Sequence, residues 1–194
     1  MRPKPLLKLS RPGCLGVLKV LSLLALIELL FDPLAWIQNI NHVAQIRAEL
    51  PAAASRWQAQ GIEDYDIQVK GFVPLSCMIE AVLTVRSNEL AAVMKRKIPW
   101  DETSPWEPAP SKDWDAPFCS YRQLAVSAMF ERVRQNLAAA DLSMDALEVK
   151  FDPTYGFVAS YDHRTGYRQG FLNPAVSECC VWYTFSNFRA FDKK

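Results

Sequence analysis

The distribution of apolar residues divides the chain into a leader and a body. Arg2, Lys4, Lys8 and Arg11 precede an apolar run from Cys14 to Phe31, which Asp32 and Pro33 close. Eighteen helical residues rise about 27 Å, close to the roughly 30 Å hydrocarbon core of a bilayer. Lys19 and Glu28 lie toward opposite ends of this run, where each side chain can reach its nearer interface. Phe31 and Trp36 are placed for an outer aromatic belt, with the four leading basic residues on the inner side. Asp32-Pro33 also suits a cap and first turn for a further helix, whose Leu34, Ile37, Ile40, Val43 and Ile46 recur at helical spacing. Pro51 restarts helix as far as Gln60, and Gly61 is placed to end it.

The pattern then shortens to a period of two. Tyr65, Ile67 and Val69 alternate with Asp66, Gln68 and Lys70, predicting a strand with one wet face. Ile79, Ala81, Leu83 and Val85 alternate with Glu80, Thr84 and Arg86 in a second strand over 77–85. Ser87-Asn88 predicts a tight turn into a third, Leu90 to Met94. Residues 97–117 interrupt the pattern with Pro99, Pro105, Pro108, Pro110 and Pro117 among Trp100, Trp106 and Trp114, a composition that excludes a helix or a central strand. Either this segment projects as an arm whose three tryptophans contact a partner, or it is a connector whose tryptophans fold back onto the body. The usual burial of tryptophan favours the second.

Ser120 and Gln123 stand at capping-box spacing before a helix reaching about Ala139. Tyr121, Leu124, Ala128, Val133 and Leu137 trace its apolar stripe, flanked by Ala125, Met129 and Phe130, so it should lie across a sheet. Strands follow at Leu147–Phe151, Phe157–Tyr161 and Cys180–Phe185, the first two joined by the turn Asp152-Pro153-Thr154-Tyr155-Gly156. The predicted fold is α+β: an N-terminal membrane helix, then a helix, three antiparallel strands, a long helix and three more antiparallel strands. Its parts are a basic cytoplasmic leader (1–13), a transmembrane signal anchor (14–31), a juxtamembrane helix (32–50), an extracytoplasmic α+β domain (51–190) and a tail (191–194). The alternative is secretion after signal cleavage, but no small-x-small site follows the run closely, and Ala52-Ala53-Ala54 lies far downstream. A soluble protein with a buried first helix is a third reading.

Size and charge narrow the function classes. With 194 residues and 22.0 kDa, the chain has room for one domain beyond the leader. Residues 1–37 hold five basic side chains against Glu28 and Asp32, which leaves 17 basic and 19 acidic residues for the body. That balance offers no basic face for nucleic acid. Beyond the leader stand Cys77, Cys119, Cys179 and Cys180, an even number that permits two disulfides in an exported domain. Neighbours on a strand face opposite ways, so a Cys179–Cys180 bridge is awkward, and each, where it pairs, is expected to seek Cys77 or Cys119; four buried thiols in a reducing compartment are the other reading.

Candidate chemistry is sparse. His42 and His163 are too few for a histidine-built metal site, and His163, adjacent to Asp162 on a strand, makes no ready relay with it. A surface position is expected for both histidines. Cys119, just before a helix N-terminus, is the cysteine best placed for a lowered pKa, although a structural staple is the commoner role. Asp113 and Asp115 sit in the proline-rich segment without a rigid support. No phosphate loop, Cys-x-x-Cys, Gly-x-Ser-x-Gly or His-Glu-x-x-His occurs, so no catalytic residue, metal or cofactor is assigned.

Trp57-x-Ala59-x-Gly61-Ile62-x-Asp64-Tyr65, the strand around Leu83-Thr84-Val85, the helix with Phe130, and Phe151-Asp152-Pro153-x-Tyr155-Gly156-Phe157 together resemble a family of exported bacterial proteins catalogued as domain of unknown function 6174. The resemblance spans most of 52–190. It departs from the family at Ser87-Asn88, where glycine is usual, and at Val158, where proline is usual; the Pro/Trp segment and Cys179-Cys180 look like local additions. It implies an exported α+β domain without an assigned activity. The expected function is a membrane-tethered, non-enzymatic module that binds an envelope protein or ligand. The alternative is an exported hydrolase or thiol enzyme using Cys119 or His163.

Overall fold

The computed structural model describes residues 14–74, 76–116, 119–139, 145–165 and 179–191. Ahead of Asn39, side chains are described only for Ser22, Leu23 and Ile37, and that of Cys179 also lies outside the description. The basic leader and the last three residues are outside it entirely.

Helix α1 runs from Cys14 to Gln60, 47 residues without interruption. The breaks expected at Asp32-Pro33 and at Pro51 are therefore absent from the backbone. An interior proline costs a hydrogen bond and crowds the preceding turn. Around Pro51 the burial of Leu50, Ala53 and Ala54 against the core offsets that cost. Gly61 closes the helix at φ +61°, and its amide bonds Gln58 O at 3.1 Å. The apolar stripe engages the body only from Val43 onward, since Ile37 is exposed while Val43, Ile46, Leu50 and Trp57 are buried. Among the described residues no helix is long and apolar enough to cross a membrane. Within the span expected over 14–31, all side chains but those of Ser22 and Leu23 lie outside the described residues.

Among the described residues seven antiparallel strands form one sheet: β1 (Tyr65–Val73), β2 (Cys77–Arg86), β3 (Glu89–Arg96), β4 (Trp106–Pro108), β5 (Ala146–Phe151), β6 (Val158–Thr165) and β7 (Cys179–Ala190), in the spatial order β4-β3-β2-β1-β7-β6-β5. The alternation expected for β1 and β2 is seen, with Tyr65, Ile67, Val69, Ile79, Ala81, Leu83 and Val85 all buried. Ser87 and Asn88 take φ of 51° and 63°, the double positive φ that suits a two-residue hairpin. The unexpected strand is β4, which lies inside the proline-rich segment and pairs with the end of β3 as an edge, where proline is tolerated.

Helix α2 (Val126–Ala139) carries the chain from the β4 side toward β5. Its buried residues are Val126, Met129, Phe130, Val133 and Leu137, and they share one core with the α1 stripe and with Ile67, Val69, Leu83, Leu147, Val149 and Tyr183. Both helices thus pack on the same face of the sheet. Ser120 Oγ does accept the Gln123 amide, at 3.4 Å, but Gln123 lies in a short 3-10 turn over Arg122–Leu124, whose N-cap is Tyr121, and not in α2. Extended geometry at Ala125 delays α2 to Val126, whose amide donates to the Tyr65 hydroxyl at 3.0 Å. The strand β1 therefore supplies a helix-capping oxygen that no local residue provides. Burial pushes the Tyr65 phenol up to about 12 even though this hydrogen bond favours ionisation.

Trp57, Tyr65, Tyr155 and Phe157 converge with Phe188 at one end of the body. Trp57 meets Tyr65 edge-on at 5.5 Å, and Phe188 lies 5.8 Å from Trp57, 4.7 Å from Tyr155 and 4.9 Å from Phe157. In the β5–β6 turn, Asp152 Oδ1 accepts the amides of Thr154 and Tyr155 at 2.9 and 2.7 Å. Gly156 sits there at φ +90°, and a Cβ on it would stand 2.3 Å from Ala53 O of α1. Gly156→Ala should therefore destabilise the fold by about 2–4 kcal/mol, through both φ strain and collision with helix backbone. Urea unfolding of the two proteins measures this, and a difference below about 0.5 kcal/mol would refute the close approach.

Candidate functional site

The helices cover one sheet face, and among the described residues none covers the other. Residues opposed across the strands make rows on that open face. One row reads Glu148, Asp162, Trp182, Phe72 and Met78, and the next brings Lys70 opposite both Glu80 and Thr184. Over these rows folds the loop that follows β3.

Glu80 is 2% exposed, although its side chain points away from the core. A carboxylate withdrawn from water needs compensation. Lys70 Nζ lies 3.2 Å from Oε1 and Arg96 Nε 3.7 Å from it, while the Trp100 amide donates to Oε2 at 2.7 Å. The loop is closed further by the Lys97 amide to Pro105 O at 3.1 Å and the Ile98 amide to buried Ser104 Oγ at 2.8 Å. Arg96 donates to Ser104 O and lies 4.3 Å above the Trp106 ring. At the loop's shoulder, Asp101 accepts from the Thr103 hydroxyl and amide, which hold its carboxyl below the usual range.

Trp100 takes φ +67°, a conformation costly for a bulky residue and maintained here by the Glu80 bond. Its ring stacks on Trp182 at 5.9 Å with an interplanar angle of 18°, and Phe72 is 6.4 Å away. Ile98, Met78 and Trp100 remain 57%, 46% and 44% exposed, so an aromatic and aliphatic cluster stands open to its surroundings. A patch of this kind on an otherwise polar face usually marks a contact surface.

Residues 97–116 therefore fold back, and their tryptophans separate in role. Trp114 packs against the core and donates Nε1–H to Ala109 O at 3.1 Å; Trp106 is half-buried in β4 beneath Arg96. Only Trp100 keeps a large exposed surface among the three. The cysteines are also reassigned. Cys77 pairs with Cys119, with Cα atoms 6.2 Å apart, which tethers the start of β2 to the approach to α2. This leaves neither Cys77 nor Cys119 for the partnerships expected with Cys179 and Cys180, and the Cys180 thiol is free. Bonded to sulfur, Cys119 has no thiolate with which to attack, so the thiol reading at that residue fails in this state.

His163 is half-buried rather than on the surface. Its Nδ1 lies 3.5 Å from the Asn136 amide of α2, the same side chain that reaches the Tyr161 hydroxyl, and its Nε2 is buried without a hydrogen bond. Burial lowers its pKa, opposed by Asp145 and Asp162. Burial likewise pushes Tyr161 up to about 12. Asp162 faces away, paired to Arg164 at 2.6 Å, so Asp162 and His163 form no relay, as expected for strand neighbours. His42 is half-buried on α1. Among the described residues no cluster of His, Cys, Asp and Glu could hold a metal.

Comparisons with protein-family models, with curated proteins and with solved structures return no match.

Glu80 was legible only as a wet-face residue, and its pairing with Lys70 follows from the β1–β2 register, in which the hairpin closes with Val73 opposite Cys77. Glu80→Ala should cost about 2 kcal/mol, below the figure for a fully buried pair because Lys70 reaches solvent. It should also speed hydrogen exchange at the Trp100 amide, and unchanged exchange would show that Glu80 does not hold the loop. Stability should depend on pH through His163. Its unfolded value near 6.5 exceeds the folded one, so the unfolded chain binds more protons as pH drops. The contribution is whole above about pH 6.5 and is lost as pH falls through the folded-state value. Denaturation midpoints of the protein and of His163→Asn should converge over that interval, and parallel curves would contradict the assignment.

Proposed function

We propose that the chain is a membrane-anchored extracytoplasmic module that works by binding, with its contact surface on the open sheet face around Trp100. The observation that carries this reading is the Trp100 platform: a strained, half-exposed tryptophan fixed by a buried ion cluster instead of being folded into the core. An investment of this kind is easier to account for by a contact at the ring than by packing alone. The address rests on the basic leader, the apolar run over 14–31 and the helical backbone through it. The Cys77–Cys119 bridge supports an oxidising compartment, and the resemblance to exported proteins of domain of unknown function 6174 points the same way. The near-neutral body leaves an envelope protein or ligand as the partner class, rather than nucleic acid.

Alkaline phosphatase joined after Lys194 tests the address, because that reporter folds only outside the cytoplasm. Activity should be high in the intact fusion and lost when 14–31 is deleted. Non-reduced peptide mapping of the same membranes should return a Cys77–Cys119 link with Cys180 open to alkylation. An inactive intact fusion, or free thiols at Cys77 and Cys119, would overturn the proposed compartment.

A further inference from the structure

We infer that the Trp100 end of the open face rests on the lipid surface of the membrane that holds the anchor, so that the bilayer itself is its binding partner. The inference depends on the anchored reading above, and it names the partner of the same site.

Topology supplies the argument. Asn39 Nδ2 donates to Asp145 O at 2.7 Å just before β5, and Arg56 Nη1 donates to Asp152 O at 3.4 Å just after it. Helix α1 thus runs beside β5 in the same direction, and its N-terminal part leaves the body at the Asp145 end. Across the sheet from Ala146 lie Arg164 and Cys180. One two-residue step inward, about 7 Å, lies the row containing Trp182, Phe72 and Met78. Strand β3 also ends on this side, because it is antiparallel to β2, and so the loop bearing Ile98 and Trp100 emerges here. The exposed apolar cluster and the departing anchor helix therefore share one end of the body.

Distances suit a lipid contact. Eight helical residues separate Phe31, the outer limit of the apolar run, from Asn39, which amounts to about 12 Å. The row containing Trp182 lies about 7 Å further out, and the headgroup zone covers about 5–8 Å. But β1 and β2 stand three and four strands to the side of β5, roughly 14–19 Å, so a helix tilt of about 30° toward that side lowers the cluster by about 10 Å to the headgroup level. An unbroken helix holds the body at this height, so a weak affinity for the interface acts at high effective concentration. Tryptophan is the side chain suited to that depth, with a large ring that tolerates a half-wet setting. Charge indicates which lipids are needed. Lys70 and Arg96 are engaged by Glu80, and Arg164 by Asp162. With no basic surplus, the attraction is apolar and interfacial, and uncharged or zwitterionic headgroups suffice.

The test uses the full chain reconstituted into phosphatidylcholine vesicles whose acyl chains carry bromine, a short-range quencher of tryptophan emission. Trp36 reports the anchor and Trp100 the contact. Trp100→Phe should remove roughly a third of the quenchable emission, with Trp36 and the stacked Trp182 supplying the rest. Ile98→Asp, which leaves the Trp100–Trp182 stack in place, should reduce quenching of Trp100 and raise its accessibility to iodide, with the same result at low and high salt. Vesicle-bound protein whose quenching is unchanged by Trp100→Phe, or whose Trp100 is freely quenched by iodide, overturns the lipid contact while the anchor stands. That outcome would return the face to a protein or soluble ligand. Protein recovered wholly in the aqueous fraction, without quenching, overturns both.

Discussion

The pairing of β1 with β7 joins the first strand of the body to its last, across a sequence separation of more than a hundred residues. Each half of the chain forms hairpins with its own neighbours, but a three-stranded unit leaves an open edge and half a core. Setting β7 against β1 closes both at once. It also fixes what meets at the two ends of that seam. At one end Tyr65 and Phe188 come under Trp57; at the other Phe72 lies opposite Trp182, the floor on which Trp100 stacks. An irregularity near Asn187, at φ 50°, lets the long strand serve both ends, and its side chain bonds Gln68 Oε1 at 2.6 Å.

Local patterns proved readable where they were set by neighbours in sequence. Alternation in β1 and β2, the Ser87-Asn88 turn, the Asp152–Gly156 turn and the Gly61 stop depend on backbone preferences within a few residues, and the structure places them as expected. Features decided by remote partners were not readable. Nothing near Pro33 or Pro51 announces that the helix continues through them. The start of α2 is fixed by Tyr65, which lies sixty-one residues away. Phe188, at the centre of the aromatic knot, looks in sequence like one more residue near a strand end.

The open face around Trp100 shows the same division. Three tryptophans among prolines signalled an unusual segment, and the general tendency of indole to be buried anticipated that it would fold back. Which ring would stay outside depended on Glu80, whose alternating position suggested a wet residue. A carboxylate on that face becomes buried only because the loop comes down over it, and the loop comes down because the carboxylate accepts its amide. Such mutual dependence leaves no trace in hydrophobic periodicity. The cysteines behave similarly: their number indicated bridging, but pairing Cys77 with Cys119 requires knowing that the β1–β2 turn lies beside the approach to α2.

The brevity of β4 carries a consequence for crowding. Only Trp106, Glu107 and Pro108 line that margin of the sheet, with Pro105 immediately before them and Pro110 shortly after. Proline offers no amide to an incoming strand, and three residues give little purchase for one. Proteins confined to a two-dimensional layer collide far more often than the same number dispersed in a volume. For a body held at a membrane, as proposed above, a blunted margin discourages neighbours from zipping together edge to edge into fibrils.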